Sequence, residues 1–135
     1  MDFDKLKFRA FIIKKKVIRD VISIHLGIKE IITKGGFVYE NNDGNNQFEL
    51  LIWTGLQDIN GVDIYEGDIL DFVVGEGGGH SAFRVCQDGV KWVGKKKDDT
   101  SWYSMDNLKH TIKEERLVKI GNIYENPELM DRRKE

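Results

Sequence analysis

Apolar residues recur in this chain at every second position, in short runs that glycine, asparagine and aspartate interrupt before a helical period is established. A period of two puts alternate side chains on opposite faces of a strand, whereas a helix needs apolar positions three and four apart over several turns. Leu6, Phe8, Ala10 and Ile12 fall on one face, with Lys7, Arg9, Phe11 and Ile13 on the other. After the charged break Lys14-Lys15-Lys16, Val17, Arg19 and Val21 alternate with Ile18, Asp20 and Ile22, and the pattern predicts one apolar face running through Ile22, Ile24 and Leu26. Residues 28–33 form a further apolar segment, and Gly35-Gly36 turns the chain into Phe37-Val38-Tyr39. Residues 41–46, rich in Asn, Asp and Gly, tolerate positive φ and offer no apolar face, so they are expected to form a mobile hairpin connection before a strand at 48–53.

Strands are expected at 68–74, 81–87, 90–94, 100–104 and 117–124, with a glycine-rich turn at 75–79. Asp88-Gly89 suits a two-residue type I′ hairpin turn. Residues 95–99 read as a charged loop, Ser104 as the cap of one helical turn at 105–108, and residues 131–135 as a frayed tail. With 14 glycines and one proline, the pattern predicts a mainly β domain: a small barrel-like or sandwich arrangement of short antiparallel strands with at most one or two short helical turns. We expect one domain over residues 1–135, with N-terminal strands at 6–54, a turn segment at 55–67 and C-terminal strands at 68–125.

A chain of 135 residues buries about two-thirds of its unfolded surface, so it needs no disulfide or metal to fold. Its 21 Lys+Arg against 23 Asp+Glu give a net charge of -2, unlike a protein that coats nucleic acid. The single cysteine, Cys86, rules out an internal disulfide framework and fits a reducing compartment. The first residues lack a basic segment followed by an apolar core, and no apolar run approaches the ~20 residues of a membrane span. The expectation is a soluble, intracellular domain, with no membrane partner and no cofactor.

Motifs that suggest chemistry dissolve when their spacing is examined. Gly75 and Gly77 begin a dinucleotide fingerprint, but His80 stands where the third glycine belongs, and a strand follows where a helix is needed. Gly89 to Lys95 copies a phosphate loop up to Lys96, which replaces the Ser or Thr that meets magnesium. Asp58, Asn60, Gly61 and Asp63 imitate a calcium loop with its glycine two positions early, and a turn explains them more simply. His25, His80, His110 and Cys86 have no metal-ligand spacing. The acidic set Asp63, Glu66, Asp68 and Asp71 is the best hydrolase candidate, although Asp68 after Gly67 is well placed to accept backbone bonds at a turn. Lysines and aromatics at Lys91, Trp92, Lys95, Lys96, Lys97, Trp102 and Tyr103 form a candidate nucleic-acid contact if the rings are exposed, with Lys14 to Lys16 as further charge.

Residues 53–70 read Trp-Thr-Gly-Leu-Gln-Asp-Ile-Asn-Gly-Val-Asp-Ile-Tyr-Glu-Gly-Asp-Ile-Leu. This stretch resembles the signature of the YopX family of phage and prophage proteins. Lys7-Phe8-Arg9-Ala10 and the block from Ile120 through Gly121-Asn122-Ile123-Tyr124-Glu125-Asn126-Pro127 to Leu129 resemble its opening and closing blocks. Phe11, Ile12, Ile59 and Val62 depart from the family pattern, the last two replacing lysines. The resemblance implies a small β-rich domain from a bacteriophage or prophage and carries over no catalytic or binding residue. From the residues themselves, Gly55, Asp58, Asn60, Gly61, Tyr65, Gly67 and Asp68 are expected to build a structural turn, with Ile64 and Tyr65 anchoring it to the core. The favoured function is a non-enzymatic interaction module that self-associates or binds an unidentified phage or host protein. Nucleic-acid binding and then hydrolysis are the alternatives.

Overall fold

The computed structural model describes residues 6–72, 82–88, 91–95, 102–103 and 117–131 and is mainly β. Its strands lie in two antiparallel sheets, and the helical element among the described residues is a short 3-10 helix at Pro127–Asp131. The chain divides into two compact units, Met1–Trp53 and Thr54–Glu135.

The first unit holds β1 (Phe8–Ile12), β2 (Val17–His25), β3 (Glu30–Thr33), β4 (Phe37–Asn42), β5 (Asn45–Asn46) and the start of β6 (Phe48–Gln57), in the order β5-β4-β3-β2-β1-β6. Laid flat, that order would separate β5 from β6 by roughly 24 Å, at ~4.8 Å per strand spacing. Gln47 alone joins them and reaches only about 7 Å. The sheet is therefore rolled. Side chains bridge the edges that meet: Asn41 Oδ1 accepts the N–H groups of Gln47 (2.8 Å) and Phe48 (3.1 Å), and Asn41 Nδ2 donates to the Phe48 carbonyl (3.0 Å). Gln47 Oε1 accepts the Glu40 N–H at 2.8 Å. These bridges stand where a continuous ladder would be, so the roll is not a closed barrel.

Residues 41–46 form a hairpin, as expected, and one that is itself paired: Asn41 pairs with Asn46 and Asn42 with Asn45 across Asp43-Gly44, with Gly44 at φ +77°. Asparagine amides copy the donors and acceptors of the backbone, so a segment with no apolar face can still be held by hydrogen bonds. One expectation is corrected here: Ile22, Ile24 and Leu26 do not share a face. Val21 pairs with Thr33 and Ser23 with Ile32, which makes Ile22 the extra residue of a β-bulge. The bulge moves the alternation by one, so Ile24 joins Val17 and Val21 against the core of Ala10, Ile12, Ile31 and Phe48. Ile22 and Leu26 stay exposed. Burying Ile12, Ile31 or Phe48 contributes about 1.5–3 kcal/mol each. At ~0.5–1.5 kcal/mol per bond, the three bonds of Asn41 together weigh about as much as one core side chain.

In the second unit the last residues of β6 neighbour β7 (Asp63–Tyr65). The other sheet has the order β11-β10-β9-β8-β12, built from β8 (Asp68–Phe72), β9 (Phe83–Asp88), β10 (Lys91–Lys95), β11 (Trp102–Tyr103) and β12 (Leu117–Asn122). Asp88 pairs with Lys91 and is thus a strand position rather than the first turn residue expected, while Gly89 lies outside the described residues. The core contains Ile64, Ile69, Leu70, Phe83, Val85 and Leu117. The expected turn at 75–79 and helical turn at 105–108 lie outside the described residues.

Candidate functional site

The segment that begins at Trp53 continues β6 as far as Gln57, turns through residues 58–62, and passes along β7 into β8. Gly55, Gly61 and Gly67 all have positive φ, at +85°, +81° and +87°. Asp58 organises the turn. It is 5% exposed, and its Oδ1 accepts the N–H groups of Asn60 (2.8 Å) and Val62 (3.0 Å). Its Oδ2 accepts the N–H of Lys119 at 3.0 Å, and the Ile59 N–H donates to the Leu117 carbonyl at 3.0 Å. The turn is thereby stitched to β12, which lies some 60 residues further along the chain. Asn60 enters this network through its main-chain N–H.

Gly67 and Asp68 make the second join. The Tyr65 N–H donates to Asp68 Oδ2 at 2.7 Å, and Lys119 Nζ lies 3.2 Å from the same oxygen. The Gly67 N–H donates to the Val85 carbonyl, and the Gly67 carbonyl accepts the Ile123 N–H. Tyr124 lies against Gly67 so closely that a Cβ there would stand 2.5 Å from the ring. Asn122 Oδ1 in turn accepts the N–H groups of Tyr124 (3.0 Å) and Glu125 (2.8 Å). Ile64 and Tyr65 are buried, and Thr54 Oγ1 donates to the Ile64 carbonyl at 2.7 Å. Two blocks distant in sequence thus form one hydrogen-bonded network.

The acidic set does not converge on a common point. Asp68 is engaged as just described, Asp63 Oδ1 accepts the Gln57 amide at 3.1 Å, and Asp71 is buried on β8. Among the described residues no three His, Cys, Asp or Glu side chains group to hold a metal ion, and no helix is long and apolar enough to cross a membrane.

Of the candidate nucleic-acid residues, Trp92 is 8% exposed, which leaves its ring little surface for stacking, and Lys95 is half-buried. Lys91 pairs with Asp88, Trp102 with Lys95 and Tyr103 with Gly94 as strand positions, while Lys96 and Lys97 lie outside the described residues. A different lysine meets aromatic rings. In the first unit, Lys15 Nζ lies 5.3 Å from the Phe37 ring centroid, 5.9 Å from that of Tyr39 and 3.4 Å from the Tyr39 hydroxyl. The lysine run and the Phe-Val-Tyr run are both plain in the sequence, but the rolled sheet that joins them is not.

The opposite face of that sheet carries accessible apolar residues set among charged ones such as Glu40 and Glu49. Cross-strand partners share a face, so Phe11 and Ile18 lie together, as do Ile32 and Val38. Val38 is 51% exposed, and the bulged Ile22 is 64% exposed.

A crystal structure of protein EF1440 from Enterococcus faecalis is similar to this chain, with a TM-score of 0.66 and 24% identity over 93% of this chain and 97% of that one. At that identity the likeness is one of fold. No curated protein matches the chain. The family described as YopX protein matches residues 7–131, a span that takes in both the signature segment and the closing strand it is bonded to, and the chain therefore belongs to the YopX family.

Proposed function

We propose that the chain is a non-enzymatic accessory protein of a bacteriophage or prophage, acting in the cytoplasm of the bacterial host as a self-associating module. The observation that carries this reading is the outer face of the first unit, where Val38 and Ile22 stand exposed beside half-buried Phe11, Ile18 and Ile32. Accessible apolar residues grouped on a sheet face favour association, because covering them removes apolar surface from water. A face of this kind also suits a closed two-fold pair in which the same patch serves both copies. The signature supports a structural role rather than catalysis, since the carboxylates of Asp58 and Asp68 are occupied by backbone N–H groups and Lys119.

Light scattering at micromolar concentration tests it. The expected mass is a multiple of 15.6 kDa, and Val38→Glu together with Ile22→Lys should return the protein to the mass of one chain with its far-ultraviolet spectrum unchanged. A single-chain mass for the unaltered protein would exclude self-association and leave a phage or host protein as the partner of this face.

A further inference from the structure

The core-side face of β4 carries features of a different kind from its outer face, where Val38 stands exposed beside Glu40. Where the β1–β2 turn approaches β4 and β5, a cavity of about 360 Å³ opens, lined by Lys14, Lys15, Tyr39, Asn45, Asn46 and Gln47 together with two isoleucines. No carboxylate is among its lining residues. The Lys16 N–H donates to the Ile12 carbonyl at 2.7 Å, closing the turn that holds Lys14 and Lys15 against the cavity. Phe37, one position from the outward-facing Val38, remains 55% exposed although Lys15 lies over its ring. Alternation along β4 puts Phe37 and Tyr39 on one face and Val38 and Glu40 on the other, which keeps the Glu40 carboxylate away from the lysines.

We propose that this end of the first unit binds single-stranded nucleic acid, with Lys14 and Lys15 holding backbone phosphates, Phe37 stacking one base, and the amides of Asn45, Asn46 and Gln47 meeting base edges. The combination favours this ligand over an acidic peptide. Lysines alone serve either polyanion, but an exposed aromatic ring beside them adds stacking for a planar base, which a run of carboxylate side chains does not offer. The cavity volume lies within the ~300–1,000 Å³ of small-ligand sites, enough to admit one nucleotide unit rather than a duplex. The chain as a whole carries a charge of -2, so attraction of this kind is local to the turn. The proposal goes beyond the self-association reading, since it uses the other face of β4.

Fluorescence anisotropy with a labelled dT dodecamer and its rU counterpart tests the proposal on the full chain. Binding at low salt should weaken with a log–log slope of roughly −1.4 to −2, corresponding to two or three phosphate contacts on a single strand. Phe37→Ala and Phe37→Leu should both weaken binding roughly 5- to 100-fold, the second because it keeps apolar area but removes the ring. Lys14→Glu with Lys15→Glu should abolish binding with the fold intact by circular dichroism. Lys95→Glu and Val38→Glu should leave it unchanged, the latter even where assembly is lost. Absence of binding at low salt would overturn the proposal, as would full affinity in Phe37→Leu or equal affinity for polyglutamate.

Discussion

Gly67 is held by two separate constraints, and comparison with Gly61 separates them. Both have positive φ, but a Cβ at Gly61 would meet nothing within 4 Å, whereas at Gly67 it would run into the Tyr124 ring. Gly61→Ala should therefore cost about 1 kcal/mol, from backbone conformation alone. Gly67→Ala should cost a further ~1–3 kcal/mol from overpacking. Urea unfolding of both variants, and of Gly67→Ala with Tyr124→Ala, checks this: the double variant should recover most of the excess over Gly61→Ala, because the two residues are in contact. Asp58 provides the second test at this scale. Removing its carboxylate leaves the N–H groups of Asn60, Val62 and Lys119 without their acceptor, and Asp58→Ala should cost about 2–4 kcal/mol, tempered by water reaching the exposed part of the turn. Hydrogen exchange should show the Lys119 amide losing protection, whereas an unchanged Lys119 amide would mean that the turn and β12 are not coupled. That Asp58 would cap a turn was legible from the Asp-Ile-Asn-Gly order. That it would also bind Lys119 was not, because nothing local marks a hydrogen bond across 61 positions.

Among the elements, β2 shows how one residue redirects a whole face. Strict alternation puts Ile22 and Ile24 on one face, and the bulge separates them. Deleting Ile22 should leave Val21 and Ile24 on the core face and change stability by no more than about 1 kcal/mol, since only the unpaired residue is lost. Deleting Arg19 instead shifts the pairing before the bulge and turns Val17 outward, at a cost of about 1.5–3 kcal/mol or more. Thermal unfolding of the two deletions should rank them in that order, and equal losses would refute the bulge assignment. The β4–β5 hairpin is the converse case. Its Asp43-Gly44 turn was visible in the sequence but its tie to β6 was not, because that tie comes from the Asn41 side chain reaching Gln47 and Phe48.

For the whole molecule, association and folding are linked if the outer face of the first unit is buried between copies. Anything that binds the folded chain and not the unfolded one raises apparent stability with concentration. The unfolding midpoint should accordingly rise with protein concentration for the unaltered chain and become independent of it in Val38→Glu. A midpoint independent of concentration in both would argue against self-association. The sequence by itself determined the class of the fold, most of the turns and the family, because strand alternation and turn chemistry are properties of a few adjacent residues. Tertiary structure decided which faces are covered: Ile24 is core and Ile22 surface, Trp92 is buried, and Lys15 lies over Phe37 and Tyr39. Those outcomes depend on register and on the rolling of a sheet, which are set by a bulge and by bonds between segments far apart in the chain. The stretch from Trp53 to Leu70 named the family from its residues alone, but what its acids do was settled only by the N–H groups that β12 and Tyr65 bring to them.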